Sequence, residues 1–279
     1  MAGNANKTVM AKYSALREAL RPRLQRGLIV AFSGGVDSSF LLWSAEQERR
    51  STGGRLLAVT TVSESLPQVE RHDAEQFARA IGVEQRWENS GELSNPDYVR
   101  NDGLRCYHCK TELFRLTRAL KERGAYEFVA YGYNASDRTD VRPGHKAALE
   151  NDVISPLADA ELTKDDIRVL MRAFELPLAD KPASPCLSSR LMTGVAVTPE
   201  KLRHVEAMET ILRERGVNVA RVRLHEEGQR RYLRVEVAPN EMEKVLAARD
   251  DLLAAGLSNG YERVLLDLAG YRTGGATLR

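Results

Sequence analysis

The segment that most constrains this chain is Leu28-Ile-Val-Ala-Phe32 followed at once by Ser33-Gly-Gly-Val-Asp37-Ser38-Ser39. An apolar run with no polar face is the pattern of a strand buried on both sides, as in a parallel sheet covered by helices. Gly34 and Gly35 let the backbone come close to an anion and take positive φ where required. A helix opening near Ser38 aims free N–H groups and a partial positive charge at the same place. The hydroxyls of Ser33, Ser38 and Ser39 add donors. A mere connection would need neither serines on both sides nor an aspartate. No lysine follows the glycines, so this is not a Walker loop, and γ-phosphate transfer is disfavoured.

The surrounding pattern agrees with that frame. A polar helix is predicted over 7–25, a helix over 38–50 and a second strand at Leu56–Thr60. Pro67 opens a helix with Ala74, Phe77, Ala78 and Ile81 on one face, closed by Gly82. Val83–Trp87 reads as a strand, Tyr107–Arg123 as a helix, Phe128–Tyr131 as a strand and Val153-Ile154 as a short fifth. Thr163 and Asp166 form a capping-box-like pair ahead of Ile167, Leu170, Met171 and Phe174. Strands alternating with helices imply a doubly wound parallel α/β sheet. In such a sheet ligands lie at the carboxyl ends of the strands. Gly132 and the Asn134–Asp140 loop are therefore expected in the same crevice as the phosphate loop.

Near residue 195 the rhythm changes. A helix after Thr198-Pro199 precedes strands at Ala220–Leu224 and Tyr232–Val237. A second helix follows, with Asn240 and Glu243 read as a capping box, and then a strand at Val264–Leu268. The αββαβ order predicts a smaller C-terminal α+β domain, giving domains at 1–194 and 195–279. Trp43 and Trp87 read as core or partly buried aromatics.

With 279 residues, the chain can bury a core without disulfides or metals to hold it. No apolar run reaches the roughly 20 residues needed to span a bilayer, and the start lacks a signal-like apolar region. The expectation is a cytoplasmic protein with no membrane association. Forty-one Lys plus Arg against 39 Asp plus Glu leave a net charge of +2, which argues against a general nucleic-acid coat. Three cysteines are too few, and odd in number, for a disulfide framework. Cys106 and Cys109 form a CxxC at a helix start, where N–H groups favour thiolate. Cys186 follows in Ser184-Pro-Cys-Leu-Ser-Ser-Arg190. Inert thiols, a zinc site with His108 as a fourth ligand, and a 4Fe–4S cluster with one iron lacking a protein ligand all fit the spacing.

The loop resembles the SGGxDS loop of the PP-loop ATP pyrophosphatases. That resemblance implies ATP cleavage between the α and β phosphates, with Ser33, Gly34, Gly35, Asp37 and Ser38 on pyrophosphate and Asp37 acting partly through Mg²⁺. A narrower resemblance rests on segments found in one order along nearly the whole chain. They are the loop itself, RCYHCK at Arg105–Lys110, GYNASD at Gly132–Asp137, RPG at 142–144, SPL at Ser155–Leu157, DKPASPCLSSR at Asp180–Arg190, RVR at Arg221–Arg223 and LDLAGYR at Leu266–Arg272. Together they resemble the LarE family of sulfur transferases. These enzymes adenylate the carboxylates of a pyridinium biscarboxylate mononucleotide and convert them to thiocarboxylates, in nickel-pincer nucleotide cofactor biosynthesis. The CxxC resembles the three-cysteine branch. There a 4Fe–4S cluster on the equivalents of Cys106, Cys109 and Cys186 carries the sulfide on its open iron. Members with the Cys186 equivalent alone sacrifice its sulfur. The resemblance, not the spacing, selects iron over zinc, and it also implies a homo-oligomer.

Arg190, Arg221 and Arg223 are the candidates for the anionic mononucleotide, because guanidinium forks fit phosphate and carboxylate. Arg221 and Arg223 alternate about Val222 and share one face of their strand. Ion pairs with Glu226, Glu227 or Glu236, or a solvated face, are the plainer alternative. Arg230, Arg231 and Arg234 read as surface charge, and Asp137 as either part of the ATP region or a loop cap. The competing functions are a tRNA thiolation enzyme, an amide-forming ligase and a non-catalytic nucleotide-binding module. The first needs a nucleic-acid surface that the charge balance does not suggest. The second leaves the cysteines unexplained, and the third predicts ATP binding without pyrophosphate release.

Overall fold

The computed structural model describes residues 2–139, 143–272 and 274–276, with the backbone alone for 2–6. Asp140 and Arg142, named above, lie outside the described residues. Along the chain run α1 (Ala2–Arg26), β1 (Leu28–Ala31), α2 (Val36–Thr52), β2 (Leu56–Val62), α3 (Gln68–Ile81) and β3 (Gln85–Asn89). Then come α4 (Pro96–Val99), α5 (Arg105–Glu122), β4 (Phe128–Tyr131), α6 (Pro143–Glu150), α7 (Pro156–Asp159) and α8 (Lys164–Ala173). The remainder is α9 (Pro199–Glu214), β5 (Ala220–Glu227), β6 (Arg230–Val237), α10 (Met242–Ala247), α11 (Arg249–Ser258) and β7 (Arg263–Leu266).

These elements form two compact units. The first takes the chain up to Val62, Gln68–Ser90 and Cys106–Ser184. Its four strands are all parallel, in the order β3-β2-β1-β4, with Leu28 level with Leu56 on one side and Phe128 on the other. All of β1 is buried, which explains why it lacks a polar face. Leu28, Val30, Leu56, Ala58 and Ala130 pack toward α1, α2, α3 and α8. Ile29, Ala31, Leu57, Val59 and Val129 pack on the other side, against α5 and α6. Helices thus cover both faces. The apolar stripe of α1 is Leu16, Leu20 and Leu24, all fully buried, each stabilising the fold by about 1.5–3 kcal/mol. The chain adds β2 and β3 on one side of β1 and then places β4 on the other. In such a sheet the reversal of strand order, here between β1 and β4, is the place where ligands bind. Residues 153–154, expected to be a strand, contribute only an isolated bridge between Ile154 and Ala130, because α7 begins at Pro156.

The second unit takes Pro185 onward and two upstream segments, Ser63–Pro67 and Gly91–Arg105. Its sheet has the order β5-β6-β7, antiparallel between β5 and β6 and parallel between β6 and β7. Leu202, Val205, Met208 and Leu212 form the buried face of α9. The upstream segments are pinned by hydrogen bonds. The Asn101 amide donates to the Met192 and Val195 carbonyls at 3.0 and 2.8 Å, and Val197 N donates to Val99 O at 2.9 Å. The sequence boundary at 194/195 assigned these segments, and Cys186, to the first domain. The expected capping box at Asn240 and Glu243 does not form. Pro239 opens a 3₁₀ turn there with Ala238 as its N-cap, and Glu241 accepts from the Asn218 backbone and amide. Among the described residues, no helix is long and apolar enough to cross a membrane.

Candidate active site

The first unit builds the phosphate loop as the strand and helix dictate. Gly34 takes φ +72°, and a Cβ there would stand 2.8 Å from that of Ala74, so the loop is wedged against α3. Gly35 is the N-cap of α2. The Ser38 hydroxyl donates to Gly35 O at 3.1 Å and lies 3.1 Å from the Ser33 hydroxyl, bracing the turn from inside. Gly132, at the end of β4, brings its backbone so close that a Cβ would meet Ser38 N at 2.7 Å. The end of β4 and the first turn of α2 are therefore closely fitted to each other. Asp137 caps its own loop, accepting from Asn134 N at 3.2 Å.

Asp37 Oδ1 and Ser39 Oγ of the loop are buried without a hydrogen-bond partner among the described residues. Asp37 Oδ2 accepts from Lys164 Nζ at 2.5 Å. Burial pushes the Asp37 carboxyl above its ordinary value, Lys164 opposes that rise, and Asp137 adds to it. A second lysine, Lys181, bridges Glu70 and Asp73 at 2.8 and 2.7 Å, with Gly34 O at 3.4 Å. An orphaned carboxylate oxygen, an orphaned hydroxyl and a glycine-lined turn on a helix N-terminus fit a polyphosphate with its cation.

Cys106 and Cys109 lie on the first turn of α5, the former exposed and the latter half-buried. Between them His108 has its Nε2 buried with no hydrogen-bond partner among the described residues. Such a donor set suits a soft metal. Among the described residues, no group of three or more His, Cys, Asp or Glu side chains is gathered for a metal ion.

Cys186 belongs to the second unit, half-buried ahead of the 3₁₀ turn Leu187–Arg190. Residues of the two upstream segments hold that turn. Leu187 N donates to Ser65 O at 2.8 Å, Tyr98 OH lies 2.6 Å from the Ser188 hydroxyl, and Arg105 donates to Ser188 O at 2.8 Å. Burial drives the Tyr98 phenol far above its ordinary value, with the charges of Cys186 and Glu92 adding to the effect.

The three predicted arginines are all buried, which excludes a solvated strand face. Arg190 grips both Glu209 carboxylate oxygens at 2.9 Å and donates to the backbone carbonyls of Pro185 and, at 3.1 Å, Cys186. Arg223 pairs with Glu236 at 3.0 Å and donates to Ser189 O at 2.9 Å. Arg221 stacks over Tyr271 with 5.2 Å to the ring centre and donates to Ala220 O. Burial, and then the neighbouring charge of Arg190, lower the Arg221 pKa. Arg234, read from sequence as surface charge, joins this network through Glu236 and Asp267 at 3.1 and 2.5 Å. Its alternation with Glu236 along β6 was the available signal.

Over 269 residues the chain is 30% identical to the pyridinium-3,5-bisthiocarboxylic acid mononucleotide synthase of Lactiplantibacillus plantarum, covering 96% of this chain and 94% of that one. The chain belongs to the LarE-like family. An uncharacterized protein of Synechocystis sp. is 37% identical over 253 residues, 90% of this LarE-like chain and 91% of that protein. An uncharacterized protein of Methanocaldococcus jannaschii is 26% identical over 265 residues, 95% and 98% of the two chains. No family model matches.

Two expected outcomes follow for this LarE-like chain. Gly132→Ala forces its new Cβ into the backbone of α2 rather than into a movable side chain. If the loop serves ATP, turnover should fall by about a hundredfold, since a misplacement near 1 Å can cost that much; unchanged turnover would mean that β4 does not shape the loop. The second concerns Arg223. Arg223→Ala leaves the buried Glu236 with Arg234 as its remaining ion-pair partner among the described residues, and should cost about 1.5–3 kcal/mol of stability in chemical denaturation.

Proposed function

We propose that this chain is an ATP-dependent sulfur transferase. On this reading it adenylates carboxylates of a pyridinium biscarboxylate mononucleotide, releasing pyrophosphate, and replaces the activated oxygen with sulfur in nickel-pincer nucleotide cofactor biosynthesis. The observation that carries it is the end-to-end similarity to the bisthiocarboxylic acid mononucleotide synthase. The PP-loop reading of the fold is supported by the strand–SGGVDSS–helix unit at the order reversal of a parallel sheet.

A carboxylate is a poor acyl donor, and adenylation gives it a leaving group. The chain's residues then act by positioning and charge neutralisation. Gly34, Gly35 and the first turn of α2 present N–H groups to the polyphosphate, with Ser33, Ser38 and Ser39 offering hydroxyls. Asp37 would hold Mg²⁺, which lowers the charge that the leaving pyrophosphate must carry. Arg221 is the substrate arginine of choice, because the cation crowding between it and Arg190 is what a bound anion relieves. Arg190 holds the carbonyls of the turn that presents Cys186, and Arg223 holds Ser189 O; both roles orient the turn. A 4Fe–4S cluster on Cys106, Cys109 and Cys186 would supply the sulfide. The enzyme would act as a cytoplasmic homo-oligomer on a small molecule, without nucleic acid or membrane.

The test is incubation of the anaerobically purified protein with MgATP, the biscarboxylate mononucleotide and a sulfide source. AMP, pyrophosphate and a thiocarboxylate product are expected by mass spectrometry, with iron near four per chain. ADP and phosphate as products would overturn the adenylation, and one zinc with no iron would remove the cluster.

A further inference from the structure

The proposed nucleotide loop contains a contradiction that its own residues resolve. The N-terminus of α2 and the two glycines favour an anion, yet Asp37 puts a carboxylate among them. At about 4 Å, two like charges near a protein surface repel by roughly 4 kcal/mol. A cation is required between carboxylate and polyphosphate. The chain already supplies one, because Lys164 reaches from the first position of α8 to Asp37 Oδ2, 127 residues away in sequence. Its backbone is fixed independently. Thr163 and Asp166 complete a capping box around it, and Lys164 N donates to the Ser136 hydroxyl at 3.1 Å. The ammonium, by contrast, sits on a flexible four-carbon stem and is a third exposed. Asp37 Oδ1, the other oxygen, is buried with no hydrogen-bond partner among the described residues.

We propose that Lys164 is the loop's resident counter-ion: it pairs with Asp37 until a divalent cation takes the carboxylate, and its ammonium then turns to the polyphosphate. One positive charge thereby serves two partners in succession. The lysine opposes metal binding without nucleotide and favours nucleotide binding with metal. This deepens the proposed function and rests on its assignment of the loop to ATP. The metal measurement below does not depend on which products ATP gives.

The experiment titrates the full-length protein with Mn²⁺ alone, followed by electron paramagnetic resonance of the free ion, and separately with MgATP by calorimetry. Lys164→Gln should bind Mn²⁺ about tenfold more tightly than the wild type and MgATP about tenfold more weakly, the scale of one charge-assisted hydrogen bond. Asp37→Asn in the same background should remove the gained Mn²⁺ affinity. Lys164→Arg keeps the charge and should leave Mn²⁺ affinity near the wild-type value, which guards against misreading a perturbed fold. Opposite signs for metal and nucleotide are the signature, because simple damage to the loop weakens both. Mn²⁺ affinity unchanged or weakened in Lys164→Gln, or both affinities moving the same way, would overturn the proposal. Tighter Mn²⁺ and weaker ATP binding together with ADP formation would leave Lys164 in place and sink the sulfur-transferase reading instead.

Discussion

On the proposed function, Asp37→Asn should stop release of AMP and pyrophosphate, with turnover reduced by about a hundred- to a thousandfold or more, while the folded protein becomes no less stable. The two halves have one cause. Burial raises the Asp37 pKa, so the folded state binds its proton more readily than the unfolded chain does. For such a carboxyl the penalty is absent at pH values below its unfolded pKa, grows as pH rises toward the folded value and persists above it. At neutral pH the charged form is therefore a burden on the fold, offset in part by Lys164. Replacing it with a neutral amide removes that burden and with it the site for a cation. Thermal unfolding at pH 7 should give a midpoint at or above the wild type, and the difference should shrink as pH falls. A variant that loses both activity and stability would show that Asp37 braces the loop rather than serving the nucleotide.

The cysteine variants have the other large effect. On the proposed function, Cys106→Ala, Cys109→Ala and Cys186→Ala should each abolish thiocarboxylate formation, and each should lose the iron. All three should keep ATP cleavage, since the phosphate loop is built from other residues. A sacrificial mechanism gives a different pattern. Only Cys186→Ala would be inactive, and intact-mass spectrometry would find the wild-type chain lighter by about 34 Da after one turnover, as its thiolate leaves with the product. That mass loss would refute delivery through a cluster.

Features set by neighbouring residues could be read from the sequence, and those set by topology could not. The glycine turn after β1, the α8 capping box and the apolar face of α3 are local, and they stand where the sequence pattern put them, whereas the buried leucines of α1 lie in a helix that reads as polar. The β1 run predicted a two-sided core because apolar residues on both faces have no other use. Asn240 misled because Pro239, one residue earlier, takes the first position of a helical turn. The partner of Arg190 was not legible, since Glu209 is simply one acidic residue on α9 until the turn folds against it. Lys164 was unremarkable for the same reason, and so was the membership of Ser63–Pro67 and Gly91–Arg105 in the second unit. At the cysteines thiol positions alone do not distinguish zinc from iron, and only the family resemblance pointed to iron.

The interleaved make-up of the second unit sets a timetable on the ribosome. The last segment of the first unit ends at Ser184, before most of the second has been made. Asn101, however, takes its partner at Met192, 91 residues downstream, and Tyr98 takes Ser188, 90 residues downstream. At about 5–20 residues per second, these side chains wait roughly 5–20 s for the residues that bury them. The larger unit can therefore close around its sheet while strips of the smaller one still hang from it as unsatisfied loops. The Cys186 turn is then assembled late, on a platform laid down early. A shortened chain beginning at Pro185 would lack that platform altogether, so the smaller unit is not a cassette that can be moved between proteins by cutting at one point.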